Sequence, residues 1–486
     1  MSRSPDAAPP RTPNPTPPAP EPLRVIGGLG AFSIVAGSML GVGIFVMTPD
    51  VAAGMGSVGG FFAMLVLGAL FALAGAVACG ELGAMMPHAG GDYVFQRAAF
   101  GPSLAFGSGW TLFAGIFAGS VALMAVALFQ FDIGPLLGVD LAAPIAGHFT
   151  RAHACAIALI AGLTLMNDLG AALSARAQTA LTLLPLALFI GLAGYVLIGA
   201  PPVVHPAAQA ALPDTVTLSG LGAAFLAVNY IFSGWINIIY VASEVKEPGK
   251  NIPRSMLSAT TIVTIVYVLL AAAMVQVLDV GGIAAAGETG TATATALGGG
   301  PLVTVVLVAV SIAILTSINA TILASGRIGY AMAKDGAFFK PFAHLSGPRR
   351  TPRRALRAHA VMAIALVLVG SFDAITRMTS IAMFVTGSLT VLSLFVLRRT
   401  MPDAPRPYRA AFYPWLPALY LVVALVAIGI QVKDAFAHGD VVAWYPLIGL
   451  GILCATWVGH LLWTRRIRPI HSVESNGVEG DAEPIG

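Results

Sequence analysis

The chain has 486 residues, of which 57% are hydrophobic and only 10% are charged, and its mean hydropathy is +0.85. A soluble domain carries roughly 25% charged residues, so this composition excludes a protein with an ordinary water-exposed surface. The net charge of +4 leaves a nucleic-acid partner open until the basic residues are placed along the chain.

Residues 1–22 hold nine prolines and no apolar stretch. Such a segment stays solvated, so it predicts a disordered tail rather than a cleavable signal peptide. Residues 469–486 predict a second disordered tail. The part between them, residues 23–468, is predicted to be one transmembrane domain.

Twelve apolar stretches lie between the tails, and a membrane-spanning helix needs about 20 apolar residues. We number them segments one to twelve. They run over 24–54, 58–83, 104–129, 153–171, 177–199, 219–242, 256–277, 301–325, 357–370, 374–397, 411–431 and 444–464.

The basic residues support this count. With both termini in the cytoplasm, 23 of the 26 Lys and Arg residues fall on the cytoplasmic side, and only Arg151, Arg377 and Lys433 fall outside. An excess of cytoplasmic Lys and Arg is expected for a correct span count. Charge that faces the cytoplasm between spans does not form a nucleic-acid surface, so no nucleic-acid partner is expected. The bilayer itself is the predicted partner.

Two segments contain sequence that is unfavourable for a continuous helix. Residues 37–45 of segment one read Gly-Ser-Met-Leu-Gly-Val-Gly-Ile-Phe, and residues 229–235 of segment six read Asn-Tyr-Ile-Phe-Ser-Gly-Trp. Glycine in membrane helices also serves close packing. However, interrupted helices at matching places in two halves of a chain indicate a transport site.

A broken helix offers two kinds of polar group. Unpaired N–H groups begin its second half and suit a carboxylate, and unpaired carbonyls end its first half and suit an ammonium group. Two breaks that face each other therefore fit a zwitterion.

Three motifs resemble the amino acid–polyamine–organocation permeases, and most of all their bacterial branch similar to L-type amino acid transporters. They are residues 80–94 (GELGAMMPHAGGDYV), residues 234–235 followed by 244–254 (GW, EVKEPGKNIPR), and residues 331–336 (AMAKDG) followed by Thr351-Pro352. The resemblance extends over residues 24 to about 464.

The resemblance implies an all-α polytopic protein with a leucine-transporter-type fold of about twelve transmembrane helices. Two inverted five-helix repeats would cover about 24–199 and 219–397, and two peripheral helices would cover about 411–464. It also implies a substrate site in which backbone amides near Gly41–Gly43 hold a carboxylate, carbonyls of segment six hold an amine, and Tyr230 acts as a gate. The expected site residues are Met39, Gly41, Val42, Gly43, Ile44, Tyr230, Ile231, Phe232, Ser233 and Trp235.

Two positions depart from the family pattern. Val42 stands where relatives often carry Ser, which removes a hydroxyl from the expected carboxylate site. Pro185 in segment five stands where many members carry a Lys that substitutes for sodium. The coupling ion therefore stays open between H⁺ and Na⁺, with Thr316 and Ser317 as candidate sodium ligands or as ordinary interhelical hydrogen-bond donors. Exchange without a coupling ion is equally compatible.

The remaining expectations concern function class. The middles of segments one, three, six, eight and ten contain no ionisable residue, which favours a neutral amino acid as substrate. No nucleophile–base pair, metal-ligand cluster or cofactor motif is present, so neither an enzyme nor a cofactor is expected. The sequence predicts a secondary active amino acid transporter, with an exchanger or a membrane nutrient sensor as alternatives. Arg outnumbers Lys by 21 to 5, which is typical of GC-rich bacterial genomes and indicates the cell inner membrane.

Overall fold

The computed structural model describes residues 21–147, 149–199, 212, 215–369, 372–438 and 441–471. The predicted disordered tails, 1–22 and 469–486, lie almost entirely outside these residues. Within the described part the protein is all-α, apart from one short antiparallel pair of strands, Pro144–Ala146 and Phe149–Thr150. In that pair Pro144 faces Thr150 and Ala146 faces Phe149.

Each of the twelve predicted segments contains a helix. In the first half the α-helices are Gly28–Met39, Gly43–Val46 and Thr48–Met55 (segment one), Val58–Met85 (two), Pro102–Trp110, Ala118–Ala127 and Gly134–Leu137 (three), Arg151–Asp168 (four) and Ala171–Gly199 (five). A short helix, Asp92–Phe100, lies between segments two and three. Two π-helical stretches, Thr111–Phe117 and Leu128–Ile133, interrupt segment three.

In the second half the α-helices are Leu218–Ile231 (segment six), Pro248–Ala285 (seven), Thr289–Ala296, Pro301–Lys334 (eight), Arg353–Val369 (nine), Phe372–Thr400 (ten), Trp415–His438 (eleven) and Val441–His471 (twelve). The described residues of this half also form two 3₁₀ helices, Asn237–Glu244 and Lys340–Ala343.

Nine of the described helices or helix groups are long and apolar enough to cross a membrane. Local features explain why three of the predicted segments are not among these nine. Segment four carries polar residues at both ends of Arg151–Asp168, segment six is interrupted after Ile231, and the helix of segment nine has 17 residues. The protein is therefore polytopic, and the total of twelve spans stays a prediction.

Both predicted helix breaks are confirmed. In segment one the helix ends at Met39 and the next begins at Gly43. In segment six the helix ends at Ile231, and the chain resumes helical structure only at Asn237, as a 3₁₀ helix. Gly234 lies in this second break with a φ of +106°, which glycine adopts far more readily than other residues.

Segment one lies against segments five, seven and eight. Glycine allows the closest of these approaches, because a Cβ at Gly37 would lie 2.4 Å from side-chain atoms of Gln178, Thr182 and Thr316. A Cβ at Gly43 would lie 3.1 Å from the Cα of Ile231. The glycines of segment one thus serve packing as well as the break, and they bring the two interrupted helices into contact.

Candidate functional site

The two helix breaks open onto one cavity inside the bundle. The cavity encloses about 170 Å³ of water-accessible space, whereas a single buried water needs only about 10–15 Å³. Seven of the ten predicted site residues line it: Met39, Gly41, Val42, Gly43, Tyr230, Ser233 and Trp235. The space is therefore sufficient for a small organic molecule held between segments one and six.

The other three predicted residues, Ile44, Ile231 and Phe232, do not line the cavity and are almost completely buried. Phe232 packs edge-on against the ring of Tyr267, with the ring centroids 5.7 Å apart. The side chains of these three residues are packed inside the bundle. Only their backbone groups remain candidates for substrate contact.

Segment one presents unpaired amide donors at its break. The N–H of Gly41 donates to the carbonyl of Met39 at 2.8 Å, so this amide is engaged within the chain. Among the described residues, the N–H groups of Val42, Gly43 and Ile44 have no such acceptor. These three begin the second half of the interrupted helix, where an anion is stabilised by aligned peptide dipoles.

Segment six presents unpaired carbonyls at its break. The carbonyl of Tyr230 accepts from the N–H of Ser233 at 3.2 Å and from its hydroxyl at 2.9 Å. Within the described structure, no hydrogen bond reaches the carbonyls of Ile231 and Ser233. Carbonyl oxygens at the end of a helix carry partial negative charge, so they suit an ammonium group.

Neighbouring segments hold the first break in place. The hydroxyl of Ser317 in segment eight donates to the carbonyl of Ser38 at 3.0 Å, and the hydroxyl of Tyr267 in segment seven donates to the carbonyl of Met39. Asn237 of segment six donates to the Ser38 hydroxyl at 2.9 Å. The carbonyls that end the first half-helix are therefore satisfied by protein.

The two candidate sodium ligands make interhelical hydrogen bonds. The hydroxyl of Thr316 lies 2.9 Å from the carbonyl of Leu181 in segment five, and that of Ser317 bonds to Ser38 in segment one. These bonds join segments one, five and eight, which is the second of the two roles that the sequence left open.

Segment five carries Pro185 at a buried position inside an otherwise continuous helix. Uncharged hydrogen bonds connect this segment to its neighbours. Asn319 donates to the Gln178 side chain at 2.7 Å, and the Thr182 hydroxyl donates to the Ser33 carbonyl at 3.0 Å. Segment five is thus joined to segments one and eight without an ammonium group.

The aromatic residues of segment six reach the outer helices of the bundle. The hydroxyl of Tyr230 lies 2.9 Å from that of Thr379 in segment ten, and the ring of Trp235 lies edge-on to Tyr420 in segment eleven with centroids 6.4 Å apart. Both residues line the cavity. Tyr230 is therefore placed where a ring movement would change access to the space between the breaks.

Sequence reasoning missed several cavity residues. Leu112, Ile116 and Phe117 come from the first π-helical stretch of segment three, and Met383 and Thr386 come from segment ten. A π-turn leaves no clear sequence pattern, although such turns are frequent at functional sites.

Asp92 also lines the cavity. It belongs to the motif at 80–94, but it lies between two segments and so escaped a search confined to their middles.

Comparison with known proteins agrees with this geometry. The family model described as "Amino acid permease" matches residues 26–454. The chain belongs to the amino acid permease family. It is a member of the amino acid–polyamine–organocation superfamily, and it shares the superfamily's leucine-transporter-type fold of two five-helix inverted repeats. The family consists of permeases rather than enzymes.

Individual relatives are similar along most of their length. The permease is 26% identical to a serine/threonine exchanger of Bacillus subtilis over 416 residues, which cover 84% of this chain and 90% of the relative. It is 28% identical to the Asc-type amino acid transporter 1 of Mus musculus over 404 residues (82% and 74%). It is 25% identical to the b(0,+)-type amino acid transporter 1 of the same species over 408 residues (83% and 82%).

Proposed function

We propose that this permease is a secondary active transporter that moves neutral amino acids across a membrane by alternating access. One observation carries the proposal: two interrupted helices line the same cavity, and one has unpaired donors at its break while the other has unpaired acceptors. A zwitterionic amino acid has one group for each. No side-chain charge is needed to hold it, which matches a cavity wall made mostly of apolar residues.

In this site the substrate carboxylate accepts hydrogen bonds from the amides of Val42, Gly43 and Ile44. The substrate ammonium donates to the carbonyls of Ile231 and Ser233. Backbone groups that are already held in place lose little entropy on binding. The missing hydroxyl at Val42 is therefore compatible with a functional carboxylate site, because the donors belong to the backbone.

The nature of the wall supports a neutral substrate side chain. Leu112, Ile116 and Met383 contribute apolar surface, and no Lys or Arg is among the described residues that line the cavity. An acidic substrate side chain would find no cation to pair with and would meet Asp92. Burying an unpaired charge is strongly unfavourable, so we expect glutamate and aspartate to be poor substrates.

We also propose that the protein lies in the bacterial cytoplasmic membrane with both termini in the cytoplasm. The distribution of 23 of the 26 basic residues on one side supports this orientation. The proposed inverted repeats are residues 24–199 and 219–397, with peripheral helices over 411–464. In this arrangement the two breaks occupy corresponding places in the first helix of each repeat.

Uptake by the purified protein in proteoliposomes tests the proposal. Radiolabelled serine, alanine and leucine are compared with arginine and glutamate, each in competition with the others. We expect saturable uptake of neutral amino acids and loss of that uptake in Gly43→Val, whose side chain fills the contact with segment six. Preference for arginine or glutamate, or binding without any transport as in a sensor, would contradict it.

Amino acid exchange is the second candidate mode, because one relative is named a serine/threonine exchanger. Counterflow distinguishes the two modes. Liposomes preloaded with unlabelled serine should take up labelled serine in either mode, whereas empty liposomes should accumulate it only when net transport occurs. Replacing external sodium with choline then tests whether sodium drives net transport.

A further inference from the structure

An acidic side chain that the proposed site does not use lies in the wall of the cavity. Asp92 begins the helix Asp92–Phe100 and is 2% exposed. The two preceding residues, Gly90 and Gly91, have φ values of +110° and +50°. A Cβ at Gly91 would lie 2.5 Å from the ring of Tyr240. This tight turn places Asp92 against the 3₁₀ helix of segment six.

Asp92 has one hydrogen-bonded oxygen and one oxygen without a partner. The Tyr240 hydroxyl donates to Oδ2 at 2.8 Å, and Oδ1 is buried and has no hydrogen bond in the described structure. Two other buried acids are neutralised by arginine. Glu244 pairs with Arg327 at 3.1 Å, and Glu81 pairs with Arg398 at 2.6 Å. Asp92 is in none of the ion pairs formed among the described residues.

The titratable groups that act on Asp92 carry no positive charge. They are Tyr240 of segment six, Cys79 of segment two and Tyr420 of segment eleven. Phenol and thiol groups have ordinary pKa values well above 7, so all three are neutral at physiological pH. Segment ten contributes the uncharged hydroxyl of Thr390.

The cations on neighbouring elements are engaged elsewhere. Arg327 of segment eight lies close to the turn that precedes Asp92, because a Cβ at Gly90 would lie 3.7 Å from the backbone carbonyl of Arg327. The side chain of Arg327 is bonded to Glu244. Arg97, on the same short helix as Asp92, pairs with Asp335 at 3.0 Å. Within the described structure neither arginine is therefore free to neutralise Asp92.

The short helix of Asp92 lies between the membrane-spanning helices Val58–Met85 and Pro102–Leu137. Burial raises the pKa of Asp92 to about 6, and the hydrogen bond from Tyr240 opposes that rise. A carboxyl group with this pKa binds and releases a proton within the physiological pH range.

We propose that Asp92 is the proton-binding group of this transporter and that a proton moves together with the amino acid. The proposal rests on the proposed function and adds the coupling ion. A proton from the donor side adds to the Asp92 carboxylate and forms a carboxylic acid. No bond of the substrate changes, and the same proton leaves to water when the cavity opens to the other side.

The position of Tyr240 connects this proton to substrate binding. Tyr240 belongs to the helix Asn237–Glu244, which directly follows the break that presents the carbonyls of Ile231 and Ser233. Ionised Asp92 accepts a charge-assisted hydrogen bond from Tyr240, and such bonds are roughly twice as strong as neutral ones. Protonation weakens this bond and loosens the half of segment six that must move when the cavity opens.

The test uses the full-length protein in proteoliposomes that contain a pH-sensitive dye. Adding serine or alanine outside should acidify the interior in proportion to uptake. Above pH 7 the rate of net uptake should fall about tenfold for each pH unit, because only the protonated form carries out coupled transport. Counterflow measured in the same liposomes reports whether the proposed function itself holds.

Three variants separate the proton site from general damage. Asp92→Asn should abolish internal acidification and flatten the pH profile, whatever its residual uptake rate. Asp92→Glu should restore both, and Tyr240→Phe should move the midpoint of the pH profile to higher pH because it removes a bond that lowers the Asp92 pKa. Asp132→Asn is the matched control, since Asp132 is another buried acid with an unpartnered oxygen but does not line the cavity.

The outcomes are distinguishable. Counterflow without acidification in the wild type would overturn the proton site and leave the amino acid transporter intact. Acidification that survives in Asp92→Asn would also overturn it, as would a selective loss of arginine uptake, which would make Asp92 a partner for a cationic substrate. Absence of both counterflow and uptake in the wild type would contradict the proposed function instead.

Discussion

The two interrupted helices differ in length, in what they present and in how they are held. The break in segment one leaves only Leu40, Gly41 and Val42 between two α-helices, and hydroxyl groups from two other segments satisfy its carbonyls. The break in segment six is longer, continues into a 3₁₀ helix, and leaves carbonyls unpaired.

This difference assigns a separate task to each break. In the proposed site, segment one offers donors whose geometry is fixed from several sides, and donors that are already fixed lose little entropy on binding. In the proposed site, segment six offers acceptors on a longer stretch without α-helical structure, and it carries both Tyr230 and Tyr240. We infer that segment six is the more mobile of the two during transport.

Segments one and six are connected at their ends next to the basic loops. Loss of this connection is expected to have the largest effect, a loss of stability. The N–H groups of Val25 and Ile26 donate to the carbonyl of Glu244, whose side chain pairs with the buried Arg327. Glu244→Ala would leave Arg327 buried without a counter-charge, which costs about 3–5 kcal/mol. Thermal unfolding in detergent should show a large drop in Tm.

Glu247→Ala is the control for this connection. Glu247 is 72% exposed at its side chain and lies 3.8 Å from Lys250, and surface ion pairs contribute about 0–1 kcal/mol. Equal Tm values for the two variants would show that the buried pair does not hold segments six and eight together.

Loss of the close contact between the two breaks is expected to have the second largest effect, a loss of substrate affinity. Gly234 has a φ of +106°, and a Cβ there would lie 2.6 Å from the backbone carbonyl of Ser38. Gly234→Ala should therefore separate segment six from segment one. Strain at such a position costs about 1–3 kcal/mol, and we expect at least a tenfold loss of substrate affinity, measured by scintillation proximity binding.

Gly191→Ala serves as the comparison for that variant, because a Cβ at Gly191 meets no atom within 4 Å. Its binding affinity should stay unchanged. If Gly234→Ala bound substrate as tightly as Gly191→Ala does, close contact between the breaks would not be required.

Removing one of the hydrogen bonds that hold the first break in place is expected to have a smaller effect on KM. Ser317→Ala removes the hydroxyl that donates to the Ser38 carbonyl. A typical net hydrogen bond contributes about 1 kcal/mol, so KM should rise about fivefold. Because this hydroxyl is structural in our interpretation, the KM ratio should be the same in sodium and in choline, and a sodium-dependent ratio would show instead that Ser317 binds the ion.

A change at Tyr230 in segment six, which we infer to be the more mobile segment, is expected to have the smallest effect on KM. Tyr230→Phe keeps the ring and removes the hydroxyl that lies 2.9 Å from that of Thr379. We expect KM to change by no more than about threefold, with the larger change in the maximal rate of uptake. Thr379→Val should reproduce this change, and a rise in KM beyond tenfold in Tyr230→Phe would make the hydroxyl a direct substrate contact.

Much of the architecture was predictable because hydropathy and helix-breaking residues act locally. All twelve apolar segments contain helices, and both breaks lie where the sequence places them. The site was predicted less completely. Gly41 was expected to supply an amide, but its N–H is bonded to Met39, and the unpaired donors are those of Val42, Gly43 and Ile44. Arg327 follows predicted segment eight in the sequence, yet it is 1% exposed and paired with Glu244.

The sequence alone determined that this protein belongs in a membrane, where its helices lie, and which two of them are interrupted, since these properties depend on residues close together in the chain. The tertiary structure decided which amides and carbonyls remain unpaired and which side chains reach the cavity. Those features depend on contacts between distant residues, such as Ser317 with Ser38 and Tyr240 with Asp92. For that reason the two helix breaks were foreseeable from the sequence, whereas the unpaired acid that lines the cavity became visible only in the folded protein.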